Sequence, residues 1–174
     1  MCSSRFSQLV NVRSKQIYFL LAIALMLFFA ACATGQQSAQ APKPIMLTAE
    51  DLKKLRWIEG SWRGTGVNQP PFFERYRFEN DTTLAVDHFE DETLAKVTKT
   101  SRYELKNGEF RGGSGYVATA LDDNSISFGP STAKNSFTWK QDTKDSWTAI
   151  LTLPASGNKP ASEVIYKLER WPKP

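Results

Sequence analysis

The chain has 174 residues, of which 41% are hydrophobic and 23% charged, the proportions of one globular domain rather than of a disordered or collagen-like chain. Its formal charge of +4 rests on the first segment: residues 1–31 hold Arg5, Arg13 and Lys15 and no carboxylate, and taking these three from 22 leaves 19 basic against 18 acidic groups, a net +1. A body so close to neutral has no field with which to steer a polyanion, which argues against nucleic acid as a partner.

Residues 1–32 read as a signal peptide: a basic start, an apolar run from Ile17 to Phe29, then Ala30-Ala31-Cys32. Counted through Ala31 the run is about 15 residues, short of the roughly 20 that a bilayer span needs, so a permanent transmembrane helix is the weaker reading. Phe29-Ala30-Ala31-Cys32 resembles a bacterial lipobox, although its first position departs from the usual leucine. That resemblance implies that Cys32 becomes the first residue of the mature protein and carries acyl chains. Cys2 lies in the leader, so Cys32 is the one thiol left to the mature chain, and acylation gives it a use. At about 0.8 kcal/mol per buried methylene, more than one chain makes a stable anchor. Ala31-Cys32-Ala33 also reads as an ordinary A-x-A cleavage site, which leaves secretion as the alternative to a lipid anchor on an envelope membrane. Residues 33–45 are small and polar with Pro42 and Pro44, the composition of a flexible tether. The folded domain is expected over residues 46–174, where no disulfide can form.

The domain opens on a helix. Thr48 with Asp51 makes a capping box, and Leu47 and Leu52 stand at the two staple positions, which predicts a helix from Thr48 to about Ile58 with Gly60 ending it. Ser61-Trp62-Arg63-Gly64-Thr65-Gly66 then reads as a first strand, with Trp62 inward as a plug and glycines that let another backbone approach. Pro70-Pro71 precedes a half-buried strand that places Phe72, Glu74, Tyr76 and Phe78 on one face and Arg75 and Arg77 on the other. Further strands are predicted over residues 84–89 and 94–105. Asn107-Gly108 marks a tight hairpin into Phe110, because this pair readily takes positive φ. Strands follow over 116–121, 125–128, 136–140, 147–153 and 164–171. Nine or ten short strands at this spacing, with one helix, predict an all-β antiparallel up-and-down barrel in which the first strand closes against the last.

Trp57-Ile58-x-Gly60-x-Trp62-x-Gly64-x-Gly66 resembles the opening of calycin-type barrels, especially nitrobindin-like domains and bacterial families of unknown function built on the fatty-acid-binding-protein theme. The resemblance covers the first strand, with Trp57, Gly60, Trp62, Gly64 and Gly66 as structural positions, and the rest by strand count. It implies a barrel of about ten strands with an internal cavity, and no reaction.

Candidate chemistry is sparse. His88 is the only histidine, on the face of Leu84 and Val86, and is read as a core or rim residue. A nitrobindin-like reading would make a histidine the haem ligand, but there it sits late in the chain, where this sequence offers Tyr166. No cofactor is therefore expected. Glu74 lies among inward aromatics and must be paired, hydrated or protonated. It anchors the polar group of a ligand, or pairs internally with Arg102 or Arg63. One histidine and no free mature thiol exclude histidine- or cysteine-rich zinc sites and cysteine nucleophiles. Gly112-Gly113-Ser114-Gly115-Tyr116 lacks the final glycine of the G-x-S-x-G elbow and reads as a corner or bulge, and Asp122-Asp123-Asn124 as a turn rather than a calcium loop. Gly64-Thr65-Gly66 is too short for a phosphate loop. The five tryptophans admit a sugar-platform or ligand-stacking reading, but most are read as core, and their bulk either fills the barrel or leaves a cavity for something flat and apolar. The expected function is non-enzymatic binding of a small hydrophobic or amphipathic ligand at the cell envelope, with Glu74, Tyr76, His88, Arg102 and Tyr166 as ligand-binding candidates. A filled structural or interaction module is the alternative, with a haem protein or a weak enzyme using Glu74 behind it.

Overall fold

The computed structural model describes residues 43–113 and 115–172. The expected leader, Cys32 and all of the expected tether before residue 43 lie outside the described residues, as does Ser114. Ile45, the last residue of that tether, donates its N–H to the Ala118 carbonyl at 3.0 Å and packs half-buried against the core, so the packed region takes it in.

The helix begins where the capping box sets it: the Thr48 hydroxyl accepts from the Asp51 N–H at 3.3 Å and the Asp51 carboxylate accepts from the Thr48 N–H at 2.8 Å. Only one turn is α-helical, α1 (Ala49–Leu52), and Lys53–Ile58 tightens into a 3-10 helix. Spacing explains the difference. Leu52, Leu55 and Ile58 recur every third residue and all three are buried, a stripe that a helix of three residues per turn keeps on one side.

Ten strands follow: β1 (Gly60–Gly66), β2 (Phe72–Asn80), β3 (Thr83–Phe89), β4 (Val97–Lys106), β5 (Glu109–Gly112), β6 (Tyr116–Asp122), β7 (Ser125–Pro130), β8 (Ser136–Thr143), β9 (Ser146–Leu153) and β10 (Ser162–Arg170). Each pairs antiparallel with the next, and β1 pairs with β10 from Trp62 opposite Arg170 to Gly66 opposite Tyr166, closing the barrel. The β4–β5 turn has Asn107 at φ 52° and Gly108 at φ 81°, the two positive angles of a type I′ hairpin. Asp123 and Asn124 form the β6–β7 turn.

The glycines of β1 serve a different purpose from the one the sequence suggested. A Cβ on Gly64 would lie 2.1 Å from Cζ of Phe72, and one on Gly66 would lie 2.8 Å from the Tyr166 ring. Phe72 and Tyr166 are the register partners of these glycines. Room is made for aromatic rings, not for another backbone.

Alternation along the strands sends large side chains inward and fills one end of the barrel. Trp62, Trp147, Phe110, Phe128 and Leu168 are fully buried there beneath Leu52, Leu55 and Ile58. Trp62 donates its indole N–H to the Ile58 carbonyl at 2.7 Å, which ties the plug to the 3-10 helix. The Trp147 ring meets Trp57, Trp62, Tyr76 and Trp139 edge-on, with centroids between 5.4 and 6.1 Å apart, the geometry that aromatic quadrupoles favour.

A polar chain in the open half of the barrel

The other half of the barrel is hollow. A cavity of about 530 Å³ is bordered by Phe72, Val86, Phe137, Leu151 and Tyr166 along its walls and by Tyr76, Trp139 and Trp147 toward the packed end. Its exposed lining residues, Lys99, Arg102 and Gly113, mark the mouth. This is the size range of small-molecule pockets.

One connected set of polar side chains crosses this apolar wall. Glu74 and His88 are register partners on β2 and β3, and Ser101 on β4 lies diagonally across from His88. His88 Nδ1 is 2.9 Å from Glu74 Oε1, and His88 Nε2 is 3.2 Å from Ser101 Oγ. The Tyr76 hydroxyl donates to Glu74 Oε2 at 2.7 Å. Each oxygen of the carboxylate thus has its own donor. An ionised carboxylate only accepts, so Nδ1 carries a proton, and in the neutral ring the Nε2 lone pair accepts the Ser101 hydroxyl. The Glu74 side chain is 13% exposed and that of His88 33%, which puts the histidine nearer the mouth.

Burial, then the Glu74 charge and the hydrogen bond to it, hold the Tyr76 phenol well above the usual tyrosine range. Burial first, and Glu74 second, push Tyr103 up as well. Both phenols stay protonated donors. The Tyr103 ring packs at 5.0 Å from Trp139 and 5.2 Å from Phe128, while its hydroxyl has no hydrogen-bond partner among the described residues. On the outer face of the same strands Asp87 accepts from Thr100 at 2.7 Å and from Arg77 at 3.1 Å. Burial raises its pKa, but these two bonds and the positive charges of Arg77 and Arg75 outweigh it and leave the carboxyl below the usual range.

Four of the five residues expected to bind ligand, Glu74, Tyr76, His88 and Tyr166, border the cavity with their side chains on the inward positions of β2, β3 and β10. Arg102 is a correction only as the expected internal partner of Glu74. It borders the mouth, but it occupies an outward position of β4, and its Nε and Nη2 each lie 3.0 Å from the Glu79 carboxylate. The internal partner of Glu74 is therefore neither Arg102 nor Arg63 but His88. Trp57, Gly60, Trp62, Gly64 and Gly66 hold structural places, and Gly60 needs its freedom: it sits at φ 119° with Arg170 Nη1 1.9 Å from where a Cβ would be. That guanidinium donates to the Glu59 carbonyl and stacks 4.0 Å above the Trp62 ring.

The sequence reading passed over Ser101. A signal existed: counting back from the Asn107-Gly108 turn, Leu105, Tyr103, Ser101 and Lys99 share one face of β4, and the first two are apolar and packed.

To ligate a haem, His88 would need an imidazole nitrogen free to face the iron. His88 has Nδ1 on Glu74 and Nε2 on Ser101, so its imidazole does not fit that role. Among the described residues no group of three or more His, Cys, Asp or Glu side chains is placed to hold a metal ion.

No family model matches the sequence, and no curated protein matches it. Among solved structures, the chain is similar to a redesigned β-barrel, b11L5F_LGL, at 11% identity over 74% of this chain and 98% of that one, with TM-score 0.32. It is also similar to EF1p2_mFAP2b bound to DFHBI, at 11% identity over 67% of this chain and 96% of that one, with TM-score 0.32.

Proposed function

We propose that this is a calycin-like envelope lipoprotein whose barrel holds a small amphipathic molecule, its apolar body against Phe72, Phe137 and Leu151 and its polar end against His88 and Ser101. The observation that carries the reading is the contrast between the two ends of one barrel: one is packed with tryptophan, the other keeps about 530 Å³ behind a hydrogen-bonded polar chain. A cavity without a use would be an unrepaid loss of packing. The alternative of a filled interaction module has that volume against it.

N-phenyl-1-naphthylamine, a small apolar dye that brightens when it leaves water, tests the binding. The purified barrel is expected to saturate with about one dye per chain, since a pocket of this size takes one such ligand, and Ala149→Trp, which builds an indole into the cavity wall, is expected to abolish the signal. A wild-type protein that never brightens the dye would count for the filled module.

The place in the cell rests on residues 1–32. Acylation of Cys32 is supported by the apolar run that ends in Ala30-Ala31-Cys32 and by the absence of any other thiol in the mature sequence. Cys32→Ser is expected to move the protein from the membrane to the soluble fraction. An intact mass that shows an unmodified chain starting at Thr34 would replace the anchor with secretion.

A further inference from the structure

We propose that Ser101, His88 and Glu74 form a nucleophilic triad that cleaves a small carboxylic ester held in the cavity, an inference that rests on the cavity being a ligand site. The order of contacts is the one such chemistry needs. Serine and carboxylate sit on opposite nitrogens of a single imidazole, at 3.2 and 2.9 Å, so the ring can take a proton from Oγ at Nε2 while Nδ1–H stays on Glu74. Tyr76 occupies the second oxygen of Glu74 at 2.7 Å, which stops the carboxylate from swinging away. All four residues stand on strands of a closed barrel, a more rigid support than loops.

The residues beside Ser101 are suited to the charge that would develop. Lys99 and Tyr103 are its inward neighbours on either side along β4, both border the cavity, and neither has a hydrogen-bond partner among the described residues. An ammonium and a protonated phenol are both donors for an oxyanion, the phenol half-buried inside the barrel and the ammonium reaching in from the exposed mouth. Glu74, Lys99 and Arg102 are the lining residues that carry a formal charge, and of these Glu74 is held by His88 and Tyr76 and the Arg102 guanidinium by Glu79. An uncharged ester with a short apolar acyl group matches that lining.

The step balances within these residues and water. Ser101 Oγ forms a bond to the acyl carbon as its proton passes to His88 Nε2. The tetrahedral adduct breaks its C–O bond to the alcohol, which leaves with that proton. Water then adds to the acyl-serine, again giving a proton to Nε2, and the acid departs as Oγ recovers it.

Two measurements on the purified barrel test this, with the naphthylamine dye alongside. Diisopropyl fluorophosphate, which bonds to an activated serine and expels fluoride, is expected to add one group, and peptide mapping is expected to find it on Ser101. Hydrolysis of p-nitrophenyl butyrate is expected to fall by about 100-fold or more in Ser101→Ala and in His88→Gln, and by at least about 10-fold in Glu74→Gln. Mapping on the wild-type chain needs no variant to fold. A wild type that binds the dye yet is not phosphorylated overturns the triad and leaves the binding site standing. Label on other serines, or hydrolysis unchanged in Ser101→Ala, overturns it equally. Loss of both dye binding and labelling in the wild type removes the cavity reading and the triad together.

Discussion

Two inward phenols, the buried Tyr76 of the polar chain and the half-buried Tyr103 beside Ser101 on β4, have ionisations that can be followed without any knowledge of the ligand. Tyr76 and Tyr103 hold their protons above the ordinary tyrosine pKa of about 10. The unfolded chain loses those protons near that value while the folded barrel keeps them, so below it the two groups contribute fully. Above it the unfolded state binds fewer protons, and stability falls as pH rises. The slope reaches about 1.4 kcal/mol per pH unit for each tyrosine. Urea unfolding between pH 8 and 11 is expected to show this decline, with a shallower slope in Tyr76→Phe and Tyr103→Phe. Equal slopes in all three proteins would mean that the phenols ionise as freely inside the barrel as outside it. Tyr76→Phe also removes one donor from Glu74, which makes Tyr103→Phe the cleaner comparison.

Among the elements, the β4–β5 hairpin carries the most information, because it sets which side chains of β4 face the cavity. Its turn depends on Gly108, which sits at φ 81°, and a Cβ there would come within 2.2 Å of the Met46 methyl. Gly108→Ala is expected to cost about 1–3 kcal/mol, the usual strain of a side chain in that region, with the strand register kept, as thermal unfolding with amide exchange across β4 and β5 would report. An unstrained, equally stable variant would show that the turn tolerates a different geometry. This hairpin was readable from Asn107-Gly108 alone, as the helix start was from Thr48 and Asp51, because both signals are local. The meeting of Glu74, His88 and Ser101 was not readable in that way. It depends on the register of three strands and on an irregularity between His88 and Phe89 in the β3–β4 pairing, and alternation gives only the face, never the neighbour. Arg102 was misassigned for a related reason: its charge suited Glu74, while its even position on β4 turned it outward to Glu79.

At the scale of the molecule, the architecture was legible because an up-and-down barrel repeats one local rule, strand then turn, until its edges meet. The division into a packed and a hollow end was not, since it rests on where Phe72 and Tyr166 fold across Gly64 and Gly66 and how Trp57, Trp62, Trp139 and Trp147 share one space, while Trp171 packs on Phe73 outside that cluster. Ring closure has a consequence for how the chain folds. Nine of the ten strand pairings join neighbours along the chain and form as successive hairpins, but β1 and β10 meet only across the full span from Trp62 to Arg170. That contact must gather nearly the whole domain before it returns any free energy. Closing the seam is then the step expected to set the folding rate, since a meander without β10 in place has two open edges and a half-covered tryptophan core.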